Sequence, residues 1–418
     1  MTLDRSWYAR DARGWTCEAP DDDAAAFHRA LPGYGPTPLV EAPALAAELG
    51  VGRLFVKDES ARFDLRAFKY LGASWAGFRA VAARTGYTGP ATLEGLRSFL
   101  ALAIADGDAG RRFGALTLIT ATDGNHGRAV ARTARLLGLP ARVYLPQGVP
   151  DVVIDRINAE GALLTVIDAD YDGAVMAARG DAEAEAGADA EAGPEAMAGV
   201  AGAAGGEAPS SGGGVLIQDT AWDGYELVPS WIVAGYETLF AEIDAQLAAA
   251  GATPFGSARA GLISVPVGVG SLAQAAVAHY RRSGLPREER PVLLSVEPDT
   301  AACVLRSLVS GGLASVPTAA TVMNGLNCGT PSSIAWPYLR DGLDAAIAVT
   351  DADAREAVAA LSSAGVTAGP SGAAGFAGLR AALTGAGASS RRRDLGLDAG
   401  GPPVVVCLST EGPLEAAH

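Results

Sequence analysis

The chain is 418 residues long, 49% hydrophobic, and carries a formal net charge of −15. That length suits two domains or one large one, and the apolar share supplies a large core. The acidic balance, with no polybasic run, argues against nucleic acid or an anionic membrane as partner.

The N-terminal stretch MTLDRSWYARDARG has no apolar core and no signal-peptide layout. The four cysteines, Cys17, Cys303, Cys328 and Cys407, show no metal spacing. Together these predict a reduced, cytoplasmic compartment and leave open whether Cys303 and Cys328 pair.

Of the 32 lysines and arginines only two, Lys57 and Lys69, are lysines. Lys57 sits in LFVKDES beside Asp58 and Glu59, where two carboxylates are expected to hold it protonated in a structural role. Lys69 lies in RFDLRAFKYLGAS between Phe68 and Tyr70, with no acid within four residues. An arginine stays protonated and cannot form an imine. A desolvated lysine amine whose pKa falls can do so, which makes Lys69 the candidate nucleophile.

Short apolar runs then alternate with helical patterns: LTLITAT, ARVYLP, ALLTVID, VLIQDT, GLISVPV, PVLLSVEP and PVVVCLST. Apolar on both faces, they predict buried parallel strands with crossover helices, an α/β fold. After the first run, TDGNHGRAV turns from strand to helix. Thr122, Asp123 and Gly124 shape a helix N-terminus suited to a carboxylate, and Asn125 and His126 add side-chain hydrogen bonds. The plain alternative is an N-cap with a surface histidine.

Residues Gly180–Gly214 hold seven acids and no base. That composition predicts a disordered, solvated Ala/Gly-rich insert in a surface loop. Beyond it, QDTAWDGY places Asp219 and Asp223 after a strand, where acids of open α/β sheets face the cleft or cap a helix.

The run AGLISVPVGVGSLAQAAVA is long enough to span a membrane, but Pro266 and its glycines fit a strand, a turn and a helix start better. Gly268, Val269, Gly270 and Ser271 there suit a phosphate. The same residues, up to Ala273, also match the G-x-G-x-x-A dinucleotide fingerprint, with Glu297 of SVEP as the ribose acid. On this reading the chain is an oxidoreductase using the Gly268 loop. The last strand ends in Ser409, Thr410 and Glu411, where a hydroxyl can meet a ligand nitrogen.

A reactive lysine, a phosphate loop and a carboxylate loop together describe pyridoxal-phosphate chemistry. The chain resembles the fold type II (tryptophan synthase β-like) pyridoxal-phosphate enzymes, and within them the diaminopropionate ammonia-lyases. The motifs PGYGPTPL, KDESARF, TATDGNHG, QDTAWDGY, GVGSLA, SVEP, GLNCGTPS and LSTEG fall in the family's order. KDES-RF, TDGNHG and QDTAW separate it from the threonine dehydratases, where the position of Asp123 is usually small.

The resemblance implies two open, mostly parallel twisted sheets with helices on both faces. The cofactor, pyridoxal 5'-phosphate, would lie between a large domain (1–70 and 215–418) and a smaller mobile one (71–179), usually in a homodimer. It implies Lys69 as the Schiff-base lysine, Asn125 as partner of the ring hydroxyl, and Gly268, Val269, Gly270 and Ser271 as phosphate loop. Ser409 or Thr410 would meet the ring nitrogen. Thr122, Asp123, Gly124 and His126 would bind substrate, with Asp123 and Asp219 as catalytic acids and bases; no residue is assigned to a metal, and metal-ion dependence stays open.

The sequence departs from the family at Asp64 and Arg66, where glycine and asparagine are common. The implied reaction is loss of ammonia from 2,3-diaminopropionate, giving pyruvate and a second ammonia. A serine or threonine dehydratase of the same fold is the nearest alternative.

Overall fold

The computed structural model describes residues 5–9, 11–20, 23–105, 116–187, 213–252, 261–398 and 401–414. All seven apolar runs form strands. In chain order the strands are β1 (Ser6–Tyr8), β2 (Leu39–Glu41), β3 (Arg53–Asp58), β4 (Thr117–Ala121), β5 (Ala141–Pro146) and β6 (Leu163–Ile167). They continue with β7 (Gly214–Leu216), β8 (Leu262–Pro266), β9 (Val292–Pro298), β10 (Ala345–Val349) and β11 (Val404–Ser409).

These strands make two sheets. One has seven strands in the order β1-β10-β9-β8-β11-β3-β2, and the other four in the order β6-β5-β4-β7. Only the outermost pairs of the large sheet, β1 with β10 and β2 with β3, run antiparallel. The central strands β8, β9, β10 and β11 are buried at every residue, which is why β8, β9 and β11 read as continuous apolar runs. The α/β architecture with two mostly parallel sheets is therefore present.

Three details depart from the sequence reading. The Tyr171–Gly187 helix runs on past Gly180. Ala182 is buried against β4, while Asp181 and Glu185 pair with Arg142 of β5. The start of the proposed insert thus has a docked face and is neither disordered nor fully solvated. Residues 188–212 lie outside the described residues. At the far end β7 pairs with β4, so Val215 and Leu216 belong to the small sheet, not to the large unit. Finally, β6 is an edge strand that leaves Leu163 and Val166 exposed rather than buried on both faces.

The Lys69–Thr85 helix connects the two sheets. It packs on the Leu227–Ala249 helix so closely that a Cβ on Gly235 would come within 2.5 Å of the Leu71 carbonyl oxygen. Only glycine permits that approach, and it fixes the helix whose first residue is Lys69. Among the described residues, no helix is long and apolar enough to cross a membrane.

Candidate functional site

The C-terminal ends of four parallel strands open onto one cleft, as expected for open α/β sheets. From β4 comes the turn Thr122–Gly124, from β7 Asp219, from β8 the Gly268–Gly270 loop, and from β11 Thr410 and Glu411. Lys69, Thr122, Asp123, Asn125, His126, Asp219, Gly268, Val269, Gly270, Ser271 and Thr410 all line a cavity of ≈ 750 Å³, part of it open to solvent. Gly124 lines the adjoining outer cleft of ≈ 1230 Å³. Ser409 lines neither. Its neighbour Thr410 faces the cavity, and strand alternation turns the two side chains apart.

Lys69 is not an isolated amine. Its Nζ donates to Asp219 Oδ2 at 2.5 Å and lies 5.4 Å from the centre of the Phe68 ring. Burial presses the amine's pKa down, but Asp219, with help from Asp123, outweighs it and raises the pKa above the ordinary lysine value. This reverses the expectation of a lowered pKa, because the acids come from other strands and are invisible in the local sequence.

For Asp219, burial works upward and Lys69 more strongly downward, so its carboxyl sits well below the usual carboxylate range. Asp219 does not cap a helix. Asp223, its companion in the motif, is exposed and outside the cleft. Asp123 has the opposite balance: burial, then Asp219 and Glu411, push it up to about 7 despite Lys69.

His126 is buried, and its Nε2 meets the Ile217 carbonyl at 2.7 Å. Only an N–H can make that bond, so neutral His126 presents a bare Nδ1 3.8 Å from Asp219 Oδ2. Burial lowers its pKa and keeps it neutral. It is a core-side residue of the cleft, not a surface histidine. Thr122 Oγ1 accepts from the Gly124 N–H at 2.9 Å, which shapes the turn before the Asn125–Leu137 helix.

The residues fit a phosphate-bearing aldehyde cofactor. Gly270 has φ +100° at the start of the Ser271–Tyr280 helix, and a Cβ there would collide with Leu339. The loop must stay glycine and leaves the helix N-terminus open to an anion. The Ser271 hydroxyl donates to the Asp219 carbonyl at 2.8 Å and ties that loop to the acid. Asn125 Nδ2 donates to Glu411 Oε2. The dinucleotide alternative loses its ribose acid. Glu297 is fully buried and accepts from the N–H groups of Val304 and Leu305 at 2.8 and 2.7 Å, capping the Cys303–Ser310 helix.

Sequence reasoning missed Tyr171, Ser371 and Cys328, which also line the cavity. Tyr171 Oη donates to Asp219 Oδ1 at 3.3 Å and accepts from Gln218 Nε2 at 2.8 Å. No motif marks Tyr171. Cys328 lies in GLNCGTPS, whose place in the family's order was the available signal. All four cysteines are free thiols.

The approach to Lys69 is conformationally unusual. Phe63, Asp64 and Arg66 have φ of 50°, 58° and 62°, and none is glycine. Each such left-handed residue costs about 1–2 kcal/mol. Nearby, Lys57 is fully buried and bonds Glu242 Oε2 at 2.6 Å, the Thr37 carbonyl at 2.9 Å and Gln246 Oε1 at 2.8 Å. Its hydrogen-bonded partner is therefore Glu242; Glu59 favours the charged amine from a distance, as expected, and the expected grip of Asp58 is corrected. Asp58 instead accepts from the Ser60 N–H.

Residues 30–392 match the family described as "Pyridoxal-phosphate dependent enzyme". A diaminopropionate ammonia-lyase of Salmonella typhimurium is 35% identical over 332 residues, 79% of this chain and 72% of that protein. The Escherichia coli enzyme of the same name is 32% identical over 401 residues, 94% of this chain and 89% of its own length. A crystal structure of that enzyme with an aminoacrylate-PLP azomethine reaction intermediate superposes with a TM-score of 0.71 at 30% identity, covering 98% and 90% of the two chains.

Proposed function

The chain belongs to the pyridoxal-phosphate dependent enzymes and, within them, to the diaminopropionate ammonia-lyases, and from that premise we propose that it eliminates ammonia from 2,3-diaminopropionate to give pyruvate and two ammonia. Lys69 would hold the cofactor covalently, the Gly268–Ser271 loop its phosphate, Asn125 its ring hydroxyl and Thr410 its ring nitrogen. Thr410 is preferred to Ser409 because it faces the cavity. When bound, the cofactor supplies the electron sink that makes the α-carbon acidic.

The chain's own groups do the rest. The Thr122–His126 turn takes the substrate carboxylate, and its helix start favours an anion. Asp219, kept ionised, accepts the α-proton of the L-substrate. The β-amino group leaves only with an added proton, and Asp123 is suited to give it. An acid poised near neutrality donates and reloads readily. The breaking Cβ–N bond hands its electron pair to nitrogen, which departs as neutral ammonia.

Asp123 carries the reading: its carboxyl is pushed up to about 7 in the cleft that Lys69 also lines. Asp123, Asp219 and Glu411 together suit a substrate with two ammonium groups. Serine or threonine, with a neutral β-substituent, makes no such demand. Pyruvate release should therefore be faster from 2,3-diaminopropionate than oxo-acid release from serine or threonine. The reverse order would replace this reading with a dehydratase. The homodimer expected from the resemblance belongs to the same proposal.

A further inference from the structure

The four buried charges beside the lysine turn form a closed set. Arg62 is 1% exposed and uses its whole guanidinium. Nε and Nη2 donate to Glu59 Oε2 and Oε1, both at 2.8 Å. Nη1 and Nη2 donate to Glu242 Oε1 and Oε2, also both at 2.8 Å. Nη2 reaches Thr37 Oγ1 at 3.1 Å, and Thr37 Oγ1 donates to Glu59 at 2.5 Å. With Lys57 on Glu242, two cations face two carboxylates. None of the four lines the catalytic cavity.

Stability alone is a poor reason for such a cluster, because well-packed apolar residues often do as well in its place. The backbone immediately after Arg62 supplies another reason. Three of the next four residues adopt the left-handed conformation without glycine, and the Leu65 N–H closes back on the Arg62 carbonyl at 2.9 Å. The Phe63 ring then meets Tyr70 edge-on at 4.8 Å, one residue past Lys69.

The turn is also stitched to the far strand of the cleft. The Gly412 N–H donates to the Arg66 carbonyl at 2.9 Å, and the Phe68 N–H to the Thr410 carbonyl at 3.3 Å. Lys69 starts its helix three residues after the last left-handed residue. A shift in this turn therefore displaces its amine relative to Thr410 and Glu411.

We propose that the Lys57–Glu59–Arg62–Glu242 cluster is the positioning device for Lys69: it clamps the residue that enters a left-handed turn, and the turn aims the lysine. The cluster acts through Lys69 and touches no reacting atom. The inference rests on Lys69 being the residue that holds the cofactor.

Arg62→Lys keeps the charge and removes the fork. Cofactor affinity, titrated by absorbance into the apoenzyme well below its melting temperature, should weaken about tenfold or more, the value of one or two lost charge-assisted bonds. Turnover should fall with KM little changed. Asp64→Gly adopts the left-handed turn freely. Alone it should leave affinity unchanged, and added to Arg62→Lys it should recover affinity by about threefold or more.

If Arg62→Lys lowers only the melting temperature, with affinity and turnover unchanged, the cluster is merely structural and the proposal fails. Absence of rescue by Asp64→Gly overturns it equally. Should Arg62→Lys not fold, Thr37→Ala keeps all four charges and removes only the hydroxyl between Glu59 and Arg62. It should weaken cofactor binding about threefold, and unchanged binding is the negative result. Borohydride reduction of the unaltered holoenzyme is the control. A label away from Lys69 overturns the reading of the site. A label on Lys69 with unaffected variants overturns only the positioning role.

Discussion

The chain's two lysines are both drawn out of water and both bonded to a carboxylate, yet their surroundings differ. Lys57 is 0% exposed, meets three oxygens, and belongs to a cluster in which two positive and two negative groups cancel. Burial lowers its pKa despite Glu242. Lys69 keeps 21% of its side-chain surface, meets a single carboxylate oxygen, and faces a cavity in which acids outnumber it. Its pKa rises even though burial opposes the charge. A satisfied, balanced lysine has nothing left to give a ligand. An under-coordinated lysine among surplus acids is poised to exchange its partner. Burial does not distinguish structure from chemistry here, whereas unused bonding capacity and charge imbalance do.

The sharpest way to break that contrast is to exchange the lysines' fates. Lys69→Arg preserves the ion pair with Asp219 but cannot link to the cofactor. It should show no borohydride-fixed cofactor and no measurable turnover. Lys57→Met breaches the cluster that positions Lys69, so it should bind the cofactor more weakly, still carry the covalent label on Lys69 at saturating cofactor, and lose stability. Removing one partner of a buried ion pair costs about 3–5 kcal/mol, read as a lower midpoint in urea. Turnover by Lys69→Arg, or loss of label in Lys57→Met, would invert the assignment.

The acids around Lys69 come next. Asp219 and Asp123 arise from the ends of the paired strands β7 and β4, and only Asp219 bonds Lys69; the prediction is that they address opposite faces of the substrate, Asp219 taking the α-proton of the L-isomer and Asp123 that of the D-isomer. Asp219→Asn should slow elimination from the L-substrate more, and Asp123→Asn that from the D-substrate more. Each loss should fall at roughly 10²–10⁴-fold, the usual value of a general acid or base. Equal losses for both enantiomers in both variants would refute the division and leave the lyase intact.

Much of this was legible in the chain itself, for identifiable reasons. Parallel strands inside a sheet leave continuous apolar runs, which made β4, β5, β8, β9 and β11 visible, and the half-exposed edge strands β6 and β7 happen to be apolar in sequence as well. Strand β3 was not visible, because RLFVKD carries three charges whose partners lie elsewhere. Nor was β10, because AAIAV is alanine-rich. At the site, strand-end motifs marked Asp123, Asp219 and the glycine loop. The bond between Lys69 and Asp219 spans 150 positions, so the direction of the lysine's pKa could not be read locally. Neither could the choice between Ser409 and Thr410, which depends on which way the last strand faces the cavity. The departures at Asp64 and Arg66 carry no local mark of their role in the sequence, and their positive φ values make them a backbone feature.

The smallest effects are the most specific to the cleft's charge imbalance, and they concern stability against pH. Asp123 in the folded apoenzyme titrates near 7, well above its ordinary value of 3.8. Between those values the folded chain holds a proton that the unfolded chain has released, so stability falls as pH rises. Its contribution is complete below the ordinary value and lost as pH climbs through 7. Asp123→Asn removes the penalty. The melting temperature of the variant minus that of the parent should therefore grow between about pH 5 and pH 8, by on the order of a few degrees. Asp219 has the opposite sign. Its carboxyl is held well below the ordinary range, so its contribution is present at neutral pH and lost on acidification through that range. Asp219→Asn should be less stable than the parent at neutral pH, with the gap closing as pH falls. Two aspartates beside one lysine would then tilt the stability curve in opposite directions. Slopes of the same sign in both variants would mean that Lys69 does not discriminate between them, and the contrast between an under-coordinated lysine and a satisfied one would lose its electrostatic basis.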